Sequence, residues 1–131
     1  VELINIEQAA KVRAFQSWIG MDDWQCLISV DGGDLMLSLD HEAWDFGLPP
    51  RDMNLISFGS GLERLPWTHA AVNAGIRSIS ELEDDFILQT CSDLPDDHRF
   101  WAPRDLLEEV GSKLIERKRS IWRLADEWQV Q

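Results

Sequence analysis

The chain has 131 residues, 44% of them hydrophobic, including seven Trp and five Phe, and only two Cys. That length suits one domain over residues 1–131, whose core can bury roughly two-thirds of the unfolded surface without disulfide or metal staples, and such a composition excludes intrinsic disorder. Residues 1–98 carry 18 acids and 5 bases while residues 99–131 carry 6 and 7, so the net charge of −12 is lopsided: it disfavours direct binding to nucleic acid and favours a basic protein partner.

"NIEQAAKVRAFQSWIG" predicts a first helix. Asn5 offers a cap with Gln8 three residues on, and Ala9, Val12, Phe15 and Ile19 recur at core-facing spacing. Gly20 is its natural stop. "WQCLISVDGGDLMLSLD" predicts a hairpin, because Asp31-Gly32-Gly33-Asp34 supplies the positive φ angles of a tight turn between two β-rich runs. Gly47 and Pro49-Pro50 mark a loop, and "MNLISFGSG" reads as a third strand. "PWTHAAVNAG" predicts a short helix with Pro66 near its start and Gly75 just past its end.

"SISELEDDFILQTC" carries two signals, a capping pair at Ser80 and Glu83 and the strand-like "FILQTC", and predicts helix then strand. A long amphipathic helix follows from about Pro103 to Trp128. Its first turns are acidic and its later turns basic, with Leu107, Val110, Leu114, Ile121, Leu124 and Trp128 on one stripe. The expected fold is therefore α+β, a single domain in which helices cover an antiparallel sheet of three to five strands, with an N-terminal helix and a long C-terminal amphipathic helix.

No catalytic signature emerges. His41, Glu42, Asp45 and His98 lack the H-E-x-x-H spacing of a zinc helix, and the glycine-rich "DGGD" lacks the further oxygens of a calcium loop. Ser60 in "FGSGL" fits neither a nucleophile elbow nor a phosphate loop. Cys26 and Cys91 lie in apolar runs and read as buried, reduced thiols. The expectation is no enzyme, no metal and no cofactor.

"KLIERKRSIWR" is the one basic cluster; its mixed signs match a helix face lying on an acidic body better than a nucleic-acid contact. No stretch has the pattern of a leader or a membrane span, so a cytoplasmic protein without membrane contact is expected.

Two acidic patches carry an aromatic residue. One holds Asp40, Glu42 and Asp45 with Trp44; the other holds Glu83, Asp84, Asp85, Asp93, Asp96 and Asp97 with Trp101. An aromatic anchor ringed by carboxylates suits a basic partner, since Trp is prominent among residues that dominate protein–protein affinity. The expected function is an acidic binding module, foremost a cytoplasmic immunity protein or antitoxin that blocks a nuclease-type toxin. Its carboxylates would pair with the Lys and Arg that normally hold phosphate. The alternatives are a phage-type inhibitor that mimics nucleic acid, a dimeric secretion chaperone, and a small metal-dependent hydrolase built on His41 and His98. Monomer and homodimer are both compatible with the sequence.

Overall fold

A computed structural model describes residues 5–20, 25–29, 35–39, 53–56, 65–93 and 104–130. The first helix, α1, runs Ile6–Ile19, with Asn5 at the N-cap position but making no side-chain capping bond. Gly20 ends it in the left-handed region at φ 79°, where its N–H reaches the carbonyls of Gln16 and Ser17. A side chain with a Cβ is strained in that conformation, so the predicted stop has its expected cause. The buried face differs from the predicted stripe. Ala9, Ala10, Ala14, Trp18 and Ile19 are buried together with Arg13, Gln16 and Ser17, whereas Phe15 is exposed.

The reason lies in the next helix. α2 spans His69–Ser80, capped by Thr68, whose Oγ1 accepts the Ala71 N–H at 3.1 Å. It does not stop before Gly75 but runs through it. A Cβ at Gly75 would stand 2.7 Å from the Ala10 carbonyl oxygen. The two backbones approach so closely that only small residues fit between them, and bulkier Phe15 points away.

β1 (Gln25–Ser29) and β2 (Leu35–Leu39) pair antiparallel, with Gln25 opposite Leu39 and Ser29 opposite Leu35, as the hairpin pattern requires. The α+β expectation is nevertheless overturned. Among the described residues the chain is overwhelmingly helical, and pairing is confined to this two-stranded ribbon instead of a sheet of three to five strands. Met53–Ile56, the described part of the expected third strand, joins no sheet. Its polar backbone groups bond to helix side chains instead. "FILQTC" is also no strand. It belongs to α3, Asp84–Ser92, which starts after Glu83 and not at Ser80. Asp84 and Asp85 in the first turn complement the helix dipole, and Ile87 and Cys91, four residues apart, turn inward.

The predicted C-terminal helix is two helices, α4 (Arg104–Arg119) and α5 (Arg123–Glu127). Between them the backbone tightens to bonds three residues apart: Ser120 N–H to Arg117 O, Ile121 N–H to Lys118 O, and Arg123 N–H to Ser120 O. The Ser120 hydroxyl also donates to Arg117 O, the local competition that disfavours serine inside helices. The bend keeps Ile121, Leu124 and Trp128 in the core and leaves Trp122 exposed. Val110 and Leu114 of the predicted stripe are buried as well. These side chains join those of α1 and α2, with Met53, Leu65 and Trp67, in one apolar cluster.

Arg117 joins α4 to α1. It is only 8% exposed. Its Nε donates to Trp18 O at 2.6 Å and a terminal nitrogen to Ser17 O at 2.9 Å. A cation thereby meets carbonyls of the last turn of α1, the favourable sense of the helix dipole. Trp18 returns the link, its indole N–H donating to Leu114 O at 2.8 Å.

Candidate functional site

Two regions of the helical body carry chemistry beyond apolar packing. The first is the outer face of α3. Residues 81–93 contain Glu81, Glu83, Asp84, Asp85 and Asp93 and no Lys or Arg. These acids divide by role. Asp84 is half-buried and paired with Lys118, whose Nζ also donates to Leu82 O at 2.7 Å, so the α2–α3 corner is tied to α4. Glu81 pairs with Arg77 across one exposed turn. Glu83, Asp85 and Asp93 are exposed and form no ion pair among the described residues.

Phe86 stands among them, 56% exposed, with Gln89 and Thr90 beside it on the same face. The helical period requires this: with Ile87 and Cys91 inward, positions 85, 86, 89, 90 and 93 point out. Sequence reasoning missed Phe86 because the strand reading of "FILQTC" gave it no outward face. The four-residue spacing of Ile87 and Cys91 was the available signal. Leu88, at the edge of this face, approaches α4 where Gly111 leaves room.

The chain matches no family model, no curated protein and no solved structure.

Of the predicted site residues, the structure brings Glu83, Asp84 and Asp85 together at the start of α3 and puts Asp93 directly after its last residue. Asp40, Glu42, Trp44, Asp45, Asp96, Asp97 and Trp101 lie outside the described residues, as do His41 and His98, while Cys26 lies in β1 opposite Ser38. His69 is exposed, and no metal-binding group of His, Cys, Asp and Glu forms among the described residues. Cys91 is a free, half-buried thiol, and burial pushes its pKa up, opposite to what an activated nucleophile needs. No helix among the described residues is long and apolar enough to cross a membrane. The basic cluster largely faces the protein itself. Besides Arg117 and Lys118, Arg123 donates to Met53 O at 2.7 Å, and Lys113 lies 3.5 Å from Glu116.

The second region is the strap, residues 53–56, between α1 and α5. Arg13 Nε donates to Ile56 O at 3.0 Å, and the Ile56 N–H donates to Ser17 Oγ at 3.0 Å. From the other side Arg123 donates to Met53 O, and the Leu55 N–H donates to Glu127 Oε2 at 2.9 Å. The Ser17 hydroxyl in turn donates to Arg13 O at 2.7 Å, which fixes its orientation. Beneath the strap the Arg13 guanidinium lies 5.4 Å from the Trp67 ring and 5.0 Å from that of Trp128, within cation–π range. The two indoles meet edge to face at 5.3 Å. Burial also lowers the pKa of Arg117, with the nearby charge of Arg123 adding to the effect.

Proposed function

We propose that the protein is an acidic binding module that engages a basic partner protein through the outer face of α3, in the manner of an immunity protein or antitoxin that covers a nuclease-type active surface. The observation that carries this reading is Phe86. A large apolar side chain, mostly exposed, stands beside carboxylates that form no ion pair among the described residues. Exposed carboxylates accelerate encounter with a cationic surface and make affinity salt-dependent, while a desolvated aromatic anchor slows dissociation. Glu83, Asp85 and Asp93 supply the first effect and Phe86 the second. Asp84 serves α3 itself through Lys118. Asp40, Glu42, Trp44, Asp45, Asp96, Asp97 and Trp101 extend the proposed interface, and a cytoplasmic location belongs to the same reading.

The test is affinity for a partner captured from the native host with the full chain as bait. Charge reversal at Asp85 and Asp93 is expected to slow association and flatten the salt dependence. Phe86→Ala is expected to raise the dissociation rate at least tenfold. A captured partner that is acidic overall, or one whose affinity neither change alters, refutes the reading.

A further inference from the structure

In extended backbone the N–H and C=O of one residue point to one side, and those of the next residue to the other. Met53 O and Leu55 N, two residues apart, both turn to α5. The N–H and C=O of Ile56 both turn to α1. Each helix presents one donor and one acceptor four residues apart, Arg13 with Ser17 and Arg123 with Glu127. Four helical residues rise about 6 Å, and two strand residues advance about 6.6 Å. On α5 the pair therefore matches the spacing of Met53 O and Leu55 N, as the edge of a neighbouring strand would, and on α1 both members meet the single residue Ile56.

The charges are complementary to an extended main chain. A guanidinium meets each bound carbonyl, and a carboxylate or hydroxyl oxygen meets each bound N–H. All four contacts engage backbone, so they select no side chain. Selection falls to the side chains: Met53 is buried at 2% exposure, Leu55 and Ile56 are half-buried against the apolar core, and Asn54 is exposed.

We propose that the space between α1 and α5 is a peptide-binding seat for an extended strand supplied in trans. Its ligand carries an unbranched apolar residue at the position of Met53 and apolar residues at those of Leu55 and Ile56, and is tolerant at that of Asn54. Residues 53–56 are the resident occupant and compete with it. The seat uses α1 and α5, so it stands independently of the α3 reading.

The test uses the full chain and a fluorescent synthetic peptide of residues 49–60, followed by anisotropy. Ile56→Pro removes the resident N–H that Ser17 accepts, and Leu55→Pro removes the one that Glu127 accepts. Each variant is expected to bind the peptide at least tenfold more tightly than the wild-type chain. Adding Arg123→Ala and Glu127→Ala should remove that gain, and a peptide N-methylated at Leu55 and Ile56 should not bind. In the wild-type chain, excess peptide should speed hydrogen exchange at the resident Leu55 and Ile56 amides. That measurement decides the matter even if neither proline variant folds. Unchanged exchange there, or peptide binding indifferent to Arg123 and Glu127, overturns the proposal. So does self-association of the wild-type chain without peptide uptake, which would assign the seat to a second copy.

Discussion

Gly75→Ala is expected to destabilise the protein although alanine is the better helix former. The new methyl would lie 2.7 Å from the Ala10 carbonyl oxygen and 2.8 Å from its carbon. A carbon–oxygen contact relaxes at about 3.3 Å, so α1 and α2 must part by about 0.6 Å. The obstacle is backbone and cannot rotate aside. Overpacking of this kind costs about 1–3 kcal/mol, and helix propensity returns about 1 kcal/mol, which leaves a net loss of about 1 kcal/mol.

Gly111→Ala is the internal control. Its methyl meets the Leu88 Cδ2 atom at 3.2 Å and the Cys91 Cβ at 3.5 Å. Leu88, at the exposed edge of α3, can turn away, so propensity prevails and a gain of about 0.5 kcal/mol is expected. Urea unfolding followed by tryptophan emission reads both variants. With a slope of about 2 kcal/mol per molar, the midpoints should differ by roughly 0.7 M, with Gly75→Ala the lower. A Gly75→Ala midpoint at or above that of Gly111→Ala would refute the close-approach argument.

Arg117→Met should cost about 2 kcal/mol in the same assay, because the Trp18 carbonyl loses a buried, charged donor. Thr68→Ala should cost about 1 kcal/mol by uncapping α2. Phe86→Ala should leave the unfolding free energy within about 0.5 kcal/mol of wild type, which separates a binding role from a folding one. Cys91, its pKa raised in the folded state, contributes stability that is fully present below the ordinary thiol range and lost as pH rises through the folded value. Alkylation of Cys91 should accordingly be slow at neutral pH and quicken in alkali or in denaturant. Rapid alkylation of the folded chain at neutral pH would contradict that burial.

Much of the helical content was legible from local chemistry. Gly20 needs left-handed backbone, the α4–α5 stripe shares one face, and two β-rich runs pair with each other; each is a short-range demand that residue type alone expresses. The sheet was illegible because strand propensity states only that a segment can be extended, not what will satisfy its backbone. Met53–Ile56 finds those partners on Arg13, Ser17, Arg123 and Glu127, about 40 residues before it in the chain and 70 after it. Gly75 likewise looked like a stop until Ala10 stood against it. Phe86 faces outward because Ile87 and Cys91 take the inward face of a helix. The charge imbalance and its sign are properties of the sequence. Which carboxylates pair internally, as Asp84 does with Lys118, and which remain exposed depends on how distant helices pack, because an ion pair requires proximity that local sequence does not encode.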